Sequence, residues 1–384
     1  MMSFHLEYNF KGILPVSERA LKGKKIIVSA FYILIALFLY NLFTFVALAL
    51  DGANLADFYT VHKMAPINLI SFSTVTGALT FYLGAILSLL SIMMGMMAVA
   101  AFDFEEMRGN VFLSAGGAIK FSLSRIKQLL LSELAIVVFV GLFVLLGFIL
   151  GLISRLPYMG EWLYAIFFFF PNFIFALFIV LIIFVLLLSI LIMPVAVMAD
   201  RNGETFNSLL ETFLTVVRKP VRWIGYTLYS LISAKIAGFI FACFSFWAIQ
   251  FLQFSTSLGG GEKIKDIISA GMHHLDWESK TVTFIATLFP GLNLGLDISG
   301  LVREGNSHPV GYIMAISLFL IFVMIWGYIL SVIATGQAYA YAIIKKIRDG
   351  YAITDEKSLF YEEEWVNPPI LHDKGTSESN DIST

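Results

Sequence analysis

The stretch LYAIFFFFPNFIFALFIVLIIFVLLLSILIMPVAV, Leu163–Val197, decides the fold class, because it contains no charged residue over its whole length. A helix needs about 20 mainly apolar residues to cross a hydrocarbon core about 30 Å thick. This stretch exceeds one perpendicular crossing, and Pro171 and Pro194 lie near its ends. We interpret both prolines as kinks or boundaries where interfacial turns begin.

Five further segments are apolar enough to span a bilayer, and the composition agrees with a membrane protein. Hydrophobic residues make up 59% of the 384 residues and charged residues only 14%, against about 25% charged in soluble domains. Spanning segments must be helices, since isolated strands would leave backbone groups unpaired in lipid. We therefore predict an all-α polytopic bundle, residues 1–350, with spans at about 26–50, 72–101, 129–154, 163–197, 225–254 and 310–344.

One apolar stretch, Thr281–Val302, is ambiguous. It contains Pro290, Gly291, Asn293, Gly295, Asp297 and Gly300. A straight spanning helix tolerates such a density of helix-breaking residues poorly. We interpret the stretch as an interfacial or re-entrant segment, with a seventh crossing as the alternative.

The distribution of Lys and Arg predicts the orientation. Basic residues cluster before the first span and in the loops after the second, fourth and sixth spans, whereas the loops after the first and third spans hold only Lys63 and Arg155. Cytoplasmic loops carry the excess of Lys and Arg. The loop after the fifth span holds Lys263, Lys265, Lys280 and Arg303. It is a long loop, however, and long loops obey this rule poorly. We expect both termini in the cytoplasm and the protein in a cell inner membrane.

Two of the basic loops resemble each other and indicate an internal repeat. The matching positions are Gly109, Phe112 and Ser114 in the first loop and Gly203, Phe206 and Ser208 in the second. The chain then reads as three two-helix hairpins, each introduced by a short basic element, with an insertion at about 255–309 in the third. The alternative is that any polytopic protein with basic loops has this appearance.

Each of these loops continues as an amphipathic helix. The apolar stripes are Phe112, Ala115, Ile119, Leu123 and Ile126 in the first helix, and Phe206, Leu209, Leu210, Phe213, Val216 and Val217 in the second. We expect both helices at the cytoplasmic interface, with the apolar face in lipid or on the bundle and the basic residues near anionic headgroups. They are connectors in one interpretation, and a gate or partner platform in the other.

Glu133 and Lys235 are the charges expected inside the hydrocarbon, where an unpaired charge costs about 2.5–3.5 kcal/mol. Both belong to the cytoplasmic half, so they are a candidate ion pair, structural or functional. A lysine whose long stem reaches the interface is the alternative. Gly147 and Gly151 form a candidate helix-packing face.

Other motifs carry little chemistry. His273, His274, Asp276 and Glu278 offer metal-ligand types, but without a further ligand at diagnostic spacing we expect an ordinary loop segment and no metal. No P-loop, G-x-S-x-G or H-E-x-x-H motif is present. We expect no cofactor and no catalytic residue. A net charge of −2 gives no electrostatic attraction to nucleic acid.

The last span is expected to end at Gly350, followed by an acidic, partly disordered tail, 351–384.

The loop Asp200–Pro220 and the ending Tyr339–Gly350 resemble patterns in uncharacterised six-helix bacterial membrane proteins. These include relatives of the membrane domain attached to some glycerophosphodiester phosphodiesterases. The resemblance implies an inner-membrane bundle and no known catalytic residues. No phosphodiesterase domain accompanies it, so that activity does not carry over.

The scarcity of polar groups in the spans favours a non-enzymatic role. A transporter for a polar solute needs polar groups near the midplane, and this chain offers Lys235, Asn172 and little else. The leading hypothesis is a membrane scaffold, assembly factor or accessory subunit that contacts membrane lipids and partner proteins. The alternatives are a transporter or channel for a small or lipophilic solute, and a membrane enzyme of unfamiliar chemistry.

Overall fold

The computed structural model of the protein describes residues 6–56, 71–153, 155–156, 159–201, 203–275 and 309–358. Within these ranges the chain is helical and contains no β-strand, which confirms the predicted all-α bundle. The α-helices, numbered in chain order, are α1 (Val16–Ala20), α2 (Gly23–Leu50), α3 (Val75–Met107), α4 (Ala115–Ser124), α5 (Ile126–Ile153), α6 (Met159–Leu163), α7 (Phe169–Ala199), α8 (Thr205–Arg218), α9 (Pro220–Gly260), α10 (Glu262–Leu275) and α11 (Val310–Asp349).

Five helices are long and apolar enough to cross a membrane, namely α2, α3, α5, α9 and α11. A sixth span results if the bent pair Met159–Ile166 and Phe169–Phe184 is counted as one. These elements follow the order of the six predicted spans, and most run several residues further. The predicted segment at 281–302 and the tail from residue 359 onward lie outside the described residues.

The break in the fourth span lies just before Pro171. A π-helical turn, Tyr164–Phe168, joins α6 to α7, and the pair is bent by 57°. Pro171 then falls in the first turn of α7, where its missing N–H removes no helical hydrogen bond. Pro194 lies inside α7, which continues to Ala199, so it does not mark a boundary.

The last helix ends where the sequence predicts. α11 runs to Asp349, and Gly350 follows with φ of 75°, donating its N–H to the Lys346 carbonyl at 3.0 Å. Glycine adopts this left-handed conformation without the steric cost that a Cβ imposes. The eight residues after it, 351–358, fold back onto the bundle, and Ala352 and Ile353 are buried there.

The element order repeats a short helix followed by two long ones. α1 precedes α2 and α3, α4 precedes α5 and α7, and α8 precedes α9 and α11. The long helices of each set pack against each other. Gly109 and Gly203, which the sequence aligns, both have positive φ, 87° and 73°. The insertion in the third set contributes α10, which packs on α9 and α11.

One end of the bundle gathers the N-terminal segment, the loops 108–114 and 200–204, and residues 350–358; we call it the basal end, and the opposite one the distal end. Around it the cores of α3, α7 and α11 are almost completely buried. Residues less than 2% exposed here include Met97, Ala98, Val99, Ala100, Ile192, Met193, Val195, Tyr339, Ala340, Ala342, Ile343 and Ile344. Most of the described helices meet in this core.

The N-terminal segment is threaded between α9 and α11. Its backbone carbonyls accept hydrogen bonds from those helices, Leu14 from Tyr229 Oη at 2.9 Å and Ser17 from Tyr328 Oη at 3.0 Å. Val16 and Ala20 are fully buried. The side-chain hydroxyls thus satisfy carbonyls that α1, only five residues long, cannot satisfy itself.

The distal parts of α5 and α7 differ sharply from the basal core. In Val144–Leu146 and Phe173–Phe175 every residue is at least 38% exposed. Because consecutive helical residues point in different directions, these segments are uncovered on more than one side. The two helices pack on each other, and their distal surface is apolar and open.

Candidate functional site

Polar side chains converge at the basal end, where they link segments distant in sequence. We call Lys25, Asp103, Glu105, Arg108 and Glu356 the polar cluster. None of these five side chains is more than 5% exposed. Charges this well buried must be paired, since desolvation of a lone ion costs several kcal/mol.

The first half of the cluster joins α2 to α3. Lys25 Nζ lies 2.7 Å from Asp103 Oδ1 and also donates to the Arg19 carbonyl at 3.2 Å. Glu106 accepts from Lys25 at 3.3 Å and from the half-exposed Lys22 at 2.8 Å. α3 continues to Met107, past Ala101, where its predicted span ends, and thereby carries Asp103 to this partner.

The second half fastens the C-terminal segment to the rest. Arg108 forms ion pairs with Glu105, at 3.1 Å, and with Glu356. Glu356 also forms an ion pair with Arg201, at 3.5 Å. Ser358 donates to Glu105. One carboxylate thereby connects the first loop, the second loop and residues 350–358.

A related network holds the second loop. Gln128 of α5 donates to Asp200 at 3.0 Å and to Ser208 at 2.6 Å. Asp200 in turn accepts from the Glu204 N–H at 2.8 Å and from Asn207 Nδ2 at 2.7 Å. The Asp200 carboxylate thus binds the backbone N–H of Glu204, which precedes α8, and a side-chain amide in the first turn of that helix.

The predicted intramembrane charges occupy different surroundings. Glu133 on α5 is half-buried and accepts hydrogen bonds from Ser189 Oγ of α7 at 2.9 and 3.0 Å. Lys235 is on the outward side of α9, where its neighbours Ile232 and Ile236 are 50% and 45% exposed. The pairing of Glu133 with Lys235 stays a prediction, and the lysine's position agrees with the alternative of a stem that reaches the interface.

The glycine face of α5 borders open space. A Cβ built at Gly147 or Gly151 meets no heavy atom within 4 Å apart from the nearby helix backbone. Gly147 lines a groove of about 350 Å³ between α5 and α7, together with Tyr164 and Asn172. Within the described residues, therefore, no helix packs closely on these glycines.

The candidate metal ligands are only partly placed. His274 stacks on Tyr312 at a ring distance of 4.0 Å, which is an aromatic packing role. Asp276 and Glu278 lie outside the described residues. Across the ranges given above, no group of three or more His, Cys, Asp and Glu side chains is arranged to hold a metal ion.

Polar contacts at the distal end are fewer. Asp51, which ends α2, accepts hydrogen bonds from the Ser73 N–H at 3.1 Å and the Thr74 N–H at 2.7 Å. The hydrogen bond from the Ser73 backbone, with those of the Ser73 and Thr74 side chains, lowers the pKa of Asp51 from 3.8 to about 2. This carboxylate connects the end of α2 to the start of α3.

The polar cluster is the group of residues that sequence reasoning missed. A usable signal was present: Lys25 directly precedes the first apolar run and Asp103 follows the second. In an antiparallel hairpin these two positions lie at the same end. Each charged side chain of the polar cluster has an oppositely charged partner within the cluster.

Comparison with known proteins adds no family: no family model, no curated protein and no solved structure matches the chain.

Proposed function

We propose that the protein is a non-enzymatic membrane scaffold or accessory subunit, inserted in a cell inner membrane with both termini in the cytoplasm. The observation that carries this proposal is the open distal surface of α5 and α7. That surface is apolar on more than one side, while each charged side chain of the polar cluster has an ion-pair partner within the chain. The basal end thus supplies rigidity, and the distal hairpin supplies a surface for lipids or another membrane protein.

The proposed orientation rests on the positive-inside rule and on the shared end of the termini. The N-terminal segment contacts the C-terminal one through Tyr8 and Thr354, whose hydroxyls are 2.9 Å apart. Both basic loops meet residues 350–358 at the same end. An excess of Lys and Arg there favours the cytoplasmic side.

The decisive experiment places a photo-cross-linking amino acid in the native membrane at Phe178, which is 54% exposed on α7. A matched control is Phe244 on the outward side of α9, 62% exposed. We expect a discrete protein adduct from Phe178 and only lipid adducts from Phe244. Lipid adducts alone from both positions, together with a lone monodisperse protein after purification in mild detergent, would contradict an accessory subunit.

A transporter for a small lipophilic solute is the second candidate. It is favoured by the 57° break between α6 and α7 beside the groove that holds Asn172, since carriers build sites at broken helices. Flux into proteoliposomes that falls in both Lys235→Ala and Asn172→Leu, with unchanged folding, would support this candidate. Absence of flux for every solute tested would favour the scaffold.

A further inference from the structure

The amphipathic helix α8 turns four of the six residues of its apolar stripe away from the protein. Phe206, Leu210, Phe213 and Val217 follow one another at helical spacing and are 74%, 40%, 44% and 46% exposed. The side that packs on the bundle is of mixed character, with Ser208, Thr212, Thr215 and Val216 buried and Leu209 packed against the core. Four exposed apolar side chains on one side of a helix need to be covered by lipid or by another protein.

The surface next to these side chains indicates that lipid covers them. α9 begins two residues after α8, and its outward residues Val221, Ile224 and Leu228 are 81%, 47% and 56% exposed. These belong to a helix long and apolar enough to span the membrane. The stripe of α8 is therefore continuous with a lipid-facing surface.

Three cations stand where the two helices meet. Arg218, Lys219 and Arg222 are exposed, and none forms a salt bridge within 4 Å to any described residue. The nearby acids are occupied: Glu211 points inward to Arg348 at 2.6 Å, and Asp349 accepts from Arg348 Nε at 2.7 Å. The junction thus presents three exposed cations, of which Arg218 also acts on the nearby Asp349, beside exposed apolar side chains.

We propose that α8 lies in the basal leaflet with its stripe among the acyl chains, and that Arg218, Lys219 and Arg222 bind the headgroup of an anionic phospholipid. Basic residues near a membrane surface attract anionic headgroups. An amphipathic helix at the same surface buries its apolar face at the boundary between the headgroups and the acyl chains. The two features meet at one junction and fit one ligand. This binding is independent of whether the protein acts as a scaffold or a carrier.

The other amphipathic helix, α10, provides an internal contrast. Its apolar residues Ile268 and Met272 are buried against α9 and α11, at 5% and 1% exposure. Lys265 pairs with Glu262 at 2.9 Å. α10 therefore has neither an outward stripe nor a free cation cluster, and its lysines serve as the control.

The test measures the unfolding temperature of the full-length protein in detergent while short-chain phosphatidylglycerol is titrated against phosphatidylcholine of the same chain length. We expect phosphatidylglycerol to raise the midpoint. The combined Arg218→Gln, Lys219→Gln and Arg222→Gln variant should bind phosphatidylglycerol about fivefold more weakly for each charge removed. Lys263→Gln with Lys265→Gln should bind as the unmodified protein does. All five side chains are exposed, so each variant is expected to fold, which its midpoint without lipid checks.

Two outcomes overturn the headgroup site: an equal response to phosphatidylcholine, and an unchanged affinity in the triple variant. A spin label tests the stripe separately, in a Cys243→Ala background that removes the native thiol. A label at Leu210→Cys in vesicles should collide with oxygen more than with a water-soluble nickel complex, and a label at Lys263→Cys should do the reverse. Preferential collision of the Leu210→Cys label with nickel overturns immersion of α8.

Discussion

The basal and distal parts of this bundle differ in how far their apolar side chains are buried by other helices. At the basal end, α3, α7 and α11 bury almost every residue, and buried ion pairs join α2 to α3 and the first loop to residues 350–358. At the distal end, α5 and α7 contact each other and expose most of their large apolar side chains. The basal helices are joined by loops and ion pairs, whereas lipid covers an apolar helix without any protein partner. Specific structure is therefore concentrated at the basal end.

The largest effect expected from this contrast comes from breaking the buried pair in the polar cluster. Lys25→Ala leaves Asp103 buried and lacking its 2.7 Å partner, so it should destabilise the protein by about 3–5 kcal/mol. Thermal unfolding in detergent measures the loss. Lys25→Met combined with Asp103→Leu is the control and should recover most of it. A loss below about 1 kcal/mol for Lys25→Ala would contradict the buried pairing.

A matched pair of glycine substitutions compares the two regions directly. A Cβ at Gly327 would lie 2.8 Å from the Ala30 nitrogen and the Ile26 oxygen, which are backbone atoms of α2. Gly327→Ala should therefore cost about 1–3 kcal/mol through overpacking. Gly147→Ala meets open space in the distal hairpin and should be neutral or gain up to about 1 kcal/mol from helix propensity. Equal losses for both would show that the distal glycine also packs closely.

Release of the C-terminal segment should give a smaller, local effect. Glu356→Gln weakens the contacts with Arg108 and Arg201, while Arg108 keeps Glu105. Amide hydrogen exchange across 351–358 should accelerate about tenfold, which corresponds to about 1.4 kcal/mol. Lys357→Gln, at an exposed neighbour, is the control. Unchanged protection in Glu356→Gln would mean that packing of Ile353 alone holds the segment.

The smallest effect concerns pH at the distal end. The folded pKa of Asp51 is lowered to about 2 from 3.8, so its contribution is complete above pH 4 and is lost as the pH falls through about 2. A carbon-detected NMR titration of the Asp51 carboxyl should give that low midpoint. Ser73→Ala, which removes one donating hydroxyl, should raise it. A midpoint near 3.8 in the unmodified protein would exclude the bridge to Ser73 and Thr74.

Much of the fold follows from the sequence, since long apolar runs in a bilayer allow only helices. Five helices long and apolar enough to cross a membrane lie at predicted spans, and the bent pair supplies a sixth if it is counted as one. The last helix ends at Gly350 as expected, and Gly109 and Gly203, which the sequence aligns, both have positive φ. The orientation of α8 was left open, because an amphipathic pattern shows that one side is apolar without showing what covers it.

The polar cluster escaped sequence reasoning for a different reason. A search for charges deep inside apolar runs selects Glu133 and Lys235. The chain places a buried ion pair at the margins of those runs, between Lys25 and Asp103. Pairing at the margins depends on which helices are neighbours and on how far each extends, and both are properties of the assembled bundle.

The threaded N-terminal segment has a consequence for biogenesis. Its place between α9 and α11 depends on contacts such as the one from Tyr328 to Ser17, 311 positions apart in the chain. During synthesis this segment has no binding site until the final long helix has been made and inserted. Completion of the bundle is therefore coupled to translation through α11, and a product truncated before α11 would lack the contacts that hold the N-terminal segment in place.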